Sequence, residues 1–240
     1  MRLLDPSILG SRRSSARAAR STVRSGLALT ILVGLLMAPI ASGSGVIRGR
    51  LLTTSTSTKS PTGDGTQLVA QRGASDAVIY VVQVPDKVEA KAARHDRKGP
   101  KAKLPRIVQE KRAFVPRVLV TTAGSSVEFA NLDRVYHNAF SVSAAKRFDL
   151  GKYAPGHVDT VSFPRAGVAN LHCDIHPDES AFVVVVPNHF FTRPDSFGRF
   201  KLPKLPPGQY TLRGWHSRLG ELKQDVTMPR HGDLVVDLRF

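Results

Sequence analysis

The chain has 240 residues, with 35 lysines and arginines against 19 aspartates and glutamates, a formal charge of +16, and a single cysteine. One thiol excludes an internal disulfide, so in an oxidising compartment Cys173 is expected to be buried, paired between chains or bound to a metal. The basic charge raises nucleic acid as a partner, but the absence of interleaved aromatics in the basic stretch, with the export expected below, disfavours that reading.

In chain order, an arginine-rich start, "RLLDPSILGSRRSSARAARSTVRSG", leads into the apolar run "LALTILVGLLMAPI" and then the small residues "ASGSG". That order predicts a signal peptide over residues 1–43. Its apolar core of about 14 residues falls short of the roughly 20 that a spanning helix needs, so cleavage near Gly43 is expected, with no stable membrane span afterwards. The mature chain is then periplasmic or otherwise exported. Arg12 and Arg13 make a poor twin-arginine match, which leaves the export route open. Residues 1–43 hold six arginines and one aspartate, so the remainder still carries +11.

After residue 44 short segments rich in Val, Phe, Tyr and Thr follow one another between turn residues: "GVIRGRLLTT", "DAVIYVVQV", "FVPRVLVTT", "SSVEFAN", "HNAFSVS", "VDTVSFP", "VANLHC", "SAFVVVVP", "GRFKLP", "GQYTLRGW", "KQDVTM" and "DLVVDL". Many short strands at close spacing predict an all-β protein of sandwiches or barrels. Two stretches interrupt them, a polar low-complexity loop at 54–67 and a basic, alanine-bearing segment at 85–106. Residues 86–117 hold eleven Lys or Arg against four Asp or Glu. They read either as a solvated linker or short helix, or as a docking patch for an acidic redox partner or an anionic envelope surface.

The candidate site lies in "LHCDIHPDE". A thiol and an imidazole two residues apart fit a tight loop between "VANLHC" and "SAFVVVVP", stiffened by Pro177. Side chains alternate along a strand, so His172 and Cys173 face opposite ways. Cys173 and His176 are therefore the local pair, and His172 is expected on the surface or in packing. A third donor should come from elsewhere, and the candidate is His137, just past a turn built from Asn131, Asp133 and Arg134, 36 residues before Cys173. A soft thiolate with two imidazoles is the ligand set of copper electron-transfer sites on rigid β-scaffolds.

Residues 104–187, which carry these donors, resemble the cupredoxin, plastocyanin-like domain of the bacterial proteins often labelled methylamine utilisation proteins. The resemblance rests on "FVPRVLV", "GSSVEFANLDRVYHNAFSVS", "FDLGKY" and "GVANLHCDIHP". It implies a Greek-key sandwich with copper held by His137, Cys173 and His176, and Asn138 hydrogen-bonding the ligand loop. The opening "GVIRGRLL", with "DAVIYVV", and the closing "DSFGRFKLPKLPPGQYTLRGWH" resemble the two halves of a carboxypeptidase regulatory-like, transthyretin-type β-sandwich. The expected organisation is a first half at 44–85, a basic linker at 86–103, the cupredoxin domain at 104–187 inserted, and a second half at 188–240. Two independent modules in series are the alternative.

Relatives carry methionine, the weak axial ligand, where this chain has Glu179, and Met1, Met37 and Met228 all lie far from the loop in sequence. A carboxylate is a harder donor that favours Cu(II), which implies a lowered potential. It would also allow the red-copper arrangement of nitrosocyanin, one cysteine, two histidines and a glutamate. Alternatively Glu179 points to solvent, or the site has drifted and holds zinc or nothing.

His95, His157, His172, His189, His216 and His231 are scattered and form no His-x-His pair, the mark of a second copper cluster. Trp215 and His216 are expected to pack or hydrogen-bond. No nucleophile elbow or phosphate-binding loop is present. The expectation is therefore an electron carrier and not an enzyme, with an envelope binding or scaffold module whose metal is structural or absent as the alternative.

Overall fold

A computed structural model describes residues 43–53, 73–97 and 103–240. The signal segment up to residue 42, the polar loop at 54–67 and residues 98–102 of the basic stretch lie outside the described residues. Strand β1 (Ile47–Leu52) comes first, then a 3-10 turn at Ala74–Asp76, β2 (Ala77–Val81) and helix α1 (Asp86–Arg97). Next come β3 (Arg106–Gln109), β4 (Phe114–Val115), β5 (Val118–Thr122), β6 (Ser125–Asn131), β7 (His137–Ser143) and β8 (Lys146–Tyr153). They are followed by β9 (Val158–Phe163), β10 (Gly167–His172), β11 (Ser180–Val186), β12 (Phe191–Thr192) and β13 (Arg199–Lys201). The chain closes with β14 (Gly208–His216), β15 (Gly220–Met228), β16 (Leu234–Val235) and β17 (Leu238–Arg239). Apart from α1 and the 3-10 turn the described regular structure is all strand, as the alternating patterns predicted.

Strands β3 to β11 make two sheets, one in the order β5-β11-β10-β7-β8 and one in the order β4-β3-β6-β9. Alternation along each strand turns one set of side chains inward. Val127, Phe129 and Phe163 of one sheet meet Leu171, Ala181 and Val183 of the other in a shared core. Burying each large apolar side chain is worth roughly 1.5–3 kcal/mol. The run of four valines in β11 does not alternate, because both of its faces are covered. Val183 and Val185 enter that core, while Val184 and Val186 pack with Val78, Val118 and Trp215 on the opposite side. Trp215 meets Phe182 edge-on at 5.1 Å between ring centroids, and Arg117 covers the same Phe182 ring while pairing with Asp76 at 2.9 Å.

A second sandwich combines the sheet β12-β2-β14-β15 with a sheet in which β1 pairs β13, β16 and β17. Its core holds Ile47, Leu51, Ile79, Leu205, Leu212, Met228 and Leu238. Among the described residues β1 and β2 pair only with strands that follow residue 190, while β3 to β11 pair only with one another. Gly49 is required where β1 runs closest to its parallel neighbours, since a Cβ there would lie 1.7 Å from the carbonyl oxygen of Val236.

Residues 86–97, expected as a linker or short helix, form α1. Val88 and Ala92, one turn apart, lie against the second core. Glu89 accepts hydrogen bonds from the amide and ring Nδ1 of His189 at 3.2 and 2.5 Å. Val88 and Ala92 are short side chains, which is why no strong helical period stands out in the sequence. Among the described residues no helix is long and apolar enough to cross a membrane.

Candidate metal centre

Two loops meet at one end of the first sandwich, because β7 begins and β10 ends there, with His172 opposite Phe140 in the antiparallel ladder. The β6–β7 loop is shaped by Asn131. Its amide nitrogen donates to the carbonyls of Val135 and Tyr153 at 2.8 and 3.2 Å, and its oxygen accepts from the amide of Asp133 at 3.0 Å. An Asx turn of this kind replaces backbone pairing where a strand must stop. The β10–β11 loop closes through a hydrogen bond from the amide of Glu179 to the carbonyl of His176 at 3.0 Å.

His137, Cys173, His176 and Glu179, the four residues singled out from the sequence, converge, with one donor atom from each lying within 4.8 Å of the others. The Nδ1 atoms of His137 and His176 face each other at 3.1 Å, and Cys173 Sγ is 3.8 Å from His176 Nδ1. Glu179 Oε1 lies 3.1 Å from His137 Nδ1 and 3.0 Å from His176 Nδ1. The side chains of His137 and Glu179 are fully buried, and that of His176 is 18% exposed. Glu179 therefore does not point to solvent.

Three of the four donors are oriented by residues outside the cluster. His137 Nε2 is 2.9 Å from Asp133 Oδ2. Burial pushes the Asp133 carboxyl up, but hydrogen bonds from the Arg112 and Lys111 amides and from His137 outweigh it and hold it below the usual carboxylate range. Nε2 of His137 therefore faces a carboxylate, while Nδ1 faces the cluster. Glu179 Oε2 accepts from Gln109 Nε2 at 2.5 Å. Gln109 is oriented in turn by the Tyr153 hydroxyl, which donates to its Oε1, and by the carbonyl of Asn138, which accepts from its Nε2 at 3.2 Å. Burial, then the charges of Cys173, Glu179 and Asp159, push the Tyr153 phenol far above the ordinary tyrosine range, so it stays a donor. Asn138 supports the loops as the resemblance implied. Its amide nitrogen donates to Asp149 at 2.7 Å, its oxygen accepts from the amide of Asp174 at 3.4 Å, and its own backbone amide donates to Cys173 Sγ at 3.4 Å.

With Oε2 held by Gln109, Glu179 Oε1 is left buried with no hydrogen-bond partner. A buried carboxylate oxygen without a donor is costly, and here it faces the nitrogens of two rings and a sulfur. A metal cation satisfies all of them together. Two donors bound 2.0–2.1 Å from a tetrahedral ion lie about 3.3 Å apart, close to the nitrogen and oxygen separations observed, so the four residues fit a mononuclear thiolate, bis-imidazole, carboxylate site.

Replacing Gln109 by leucine orphans Glu179 Oε2 and the Tyr153 hydroxyl at about 1–3 kcal/mol each. The thermal midpoint of the metal-free protein is expected to fall by roughly 5–10 °C. An unchanged midpoint in thermal unfolding would mean that the carboxylate does not depend on this clamp.

The remaining histidines stand apart from the centre. His172 lies on the other face of β10 against Phe140, with ring centroids 5.7 Å apart. His216 is buried with both ring nitrogens engaged, Nε2 with the Gly73 carbonyl at 2.9 Å and Nδ1 with the amides of Arg218 and Leu219 at 3.1 and 3.2 Å. Met228, the one methionine among the described residues, is in the second core. Sequence reasoning missed Gln109, whose strand is hidden in the basic stretch and carries no motif. It saw Asp133 only as a turn former, although the spacing of four to His137 was there to read.

No family model matches the chain, and no curated protein sequence does either. Solved structures are similar over part of it. A copper-containing nitrite reductase from Thermus scotoductus is 26% identical with a TM-score of 0.33, over 36% of this chain and 24% of that one. The Cu(I) form of an amicyanin mutant is 21% identical with a TM-score of 0.33, over 34% of this chain and 81% of that one. The oxidised form of another amicyanin mutant is 21% identical with a TM-score of 0.32, over 34% and 80%. The chain thus spans about a quarter of the length of the reductase.

Proposed function

We propose that this chain is an exported mononuclear copper protein of the cupredoxin type that carries single electrons, with Glu179 standing where relatives place methionine. The observation that supports this best is the convergence of one sulfur, two ring nitrogens and one unpartnered carboxylate oxygen within 4.8 Å in a buried β-scaffold. Copper held by these residues supplies a one-electron Cu(I)/Cu(II) couple.

The chain's own part is to hold the donors still and keep water out. His137, Cys173 and Glu179 are fixed from two loops by Asp133, Asn138 and Gln109, so little rearrangement accompanies a change of charge. The partly exposed His176 ring is the shortest way from this buried cluster to the surface. Leu132, Val135 and Tyr136 are exposed on the loop that leads into His137. Of the basic stretch, Arg106 and Arg117 are paired with Glu128 and Asp76, whereas Lys111 and Arg112 stand exposed near Asp133. An apolar contact ringed by cations suits an acidic redox partner.

Titration of the purified chain with Cu(II) tests the proposal. A thiolate-to-Cu(II) band is expected to saturate at one equivalent and to bleach with ascorbate. A colourless protein that leaves Cu(II) in solution would reject it. One specific feature favours a second reading: a thiolate, two imidazoles and a hard carboxylate near tetrahedral spacing also suit structural Zn(II) in an envelope module. Zinc that binds tightly and displaces copper would decide for that reading.

A further inference from the structure

The turn between β3 and β4 closes through hydrogen bonds from the Glu110 amide to the Ala113 carbonyl and back, at 3.0 and 3.2 Å. Its two central residues, Lys111 and Arg112, have φ of 55° and 56°. Both therefore sit in the left-handed region, the conformation of a type I′ hairpin turn, where Asn-Gly is the favoured pair. Lysine and arginine carry a Cβ and bear a steric cost there. Hairpin closure alone does not select these two residue types, but it does aim both central amides the same way.

They point at Asp133. The Lys111 amide donates to Oδ1 at 2.7 Å and the Arg112 amide to Oδ2 at 2.8 Å, and Oδ2 also accepts from His137 Nε2 at 2.9 Å. The Asp133 backbone is held separately by Asn131. We infer that Asp133, gripped by the amides of the β3–β4 turn, is a positioning residue that fixes His137 as the Nε2-protonated tautomer with Nδ1 bare, tying the metal centre to a surface turn. A carboxylate behind a ligating imidazole fixes ring orientation and strengthens the nitrogen as a donor. The inference rests on His137 being a ligand, as proposed above, but the tautomer can be read without any metal.

In the metal-free, ¹⁵N-labelled protein, long-range ¹H–¹⁵N correlation is expected to show His137 protonated at Nε2 alone. Asp133→Ala is expected to introduce the Nδ1-protonated tautomer and to weaken Cu(II) binding, in competition with a chromophoric chelator, about 10–100-fold. The double change of Lys111→Asn with Arg112→Gly keeps both amides and suits the positive φ. It is expected to leave tautomer and affinity unchanged and to raise the thermal midpoint. Should Asp133→Ala fail to fold, Asp133→Asn carries the same test. Its amide nitrogen must oppose a donor of the turn or the ring, and a loss of about tenfold is expected. An unaltered tautomer with unaltered affinity in Asp133→Ala, or in Asp133→Asn where the alanine variant does not fold, overturns the inference. A protein that ignores Cu(II) yet loses its single tautomer on Asp133→Ala rejects the copper reading and leaves the positioning role standing.

Discussion

Cys173→Ser is expected to abolish the visible band of the copper-loaded protein and to weaken metal binding by about a hundredfold or more. The thiolate is the soft donor in the cluster and the source of the charge-transfer transition, and a serine hydroxyl neither ionises near neutral pH nor matches sulfur's affinity for copper. Structural four-donor zinc sites bind with roughly 10–16 kcal/mol in all, or about 3 kcal/mol for each donor, and the loss of one donor is scaled from these. The fold should survive. Cys173 is buried at the edge of the first core, and a serine oxygen can still accept from the Asn138 amide that now reaches Sγ. Absorption spectroscopy and chelator competition, with circular dichroism to verify folding, measure the effect. A retained band at full strength would remove Cys173 from the site.

Glu179→Met is the second large effect, and it acts on potential more than on affinity. The carboxylate oxygen lies within 3.1 Å of the His137 and His176 Nδ1 atoms, and a carboxylate donor favours the more highly charged Cu(II). A thioether carries no charge and prefers Cu(I). The reduction potential is expected to rise by on the order of 100 mV, equivalent to roughly a fiftyfold change in the preference for Cu(I) over Cu(II). Methionine is the informative replacement because it is also long and its burial leaves no void. Gln109 Nε2 keeps the Asn138 carbonyl as a partner after losing Glu179. Protein-film voltammetry reads the shift. An unchanged potential and spectrum would show that Oε1 contributes nothing to the metal.

The donors themselves were legible one by one. Cys173, His176 and Pro177 announce a stiff loop between two strands, and alternation along β10 separates His172 from Cys173, as its packing against Phe140 bears out. What lay beyond reach was the company these residues keep. Gln109 stands 70 residues before Glu179 and in a strand that no local pattern revealed. The choice between a solvent-facing and an inward-facing Glu179 depended on that partner.

The sequence by itself determined the strand-rich class, the turn positions and the identity of the candidate donors, since these follow from side-chain period, backbone φ preferences and the chemistry of each residue, all local properties. Tertiary structure alone decided which strands became neighbours, including the parallel pairs β5–β11 and β3–β6, and with them the valines of β11 buried on both faces. It also decided which oxygen of Glu179 is left without a hydrogen-bond partner and which nitrogen of His137 faces Asp133. Those outcomes turn on hydrogen bonds between groups that only folding brings together, and a periodicity read along the chain carries no record of them.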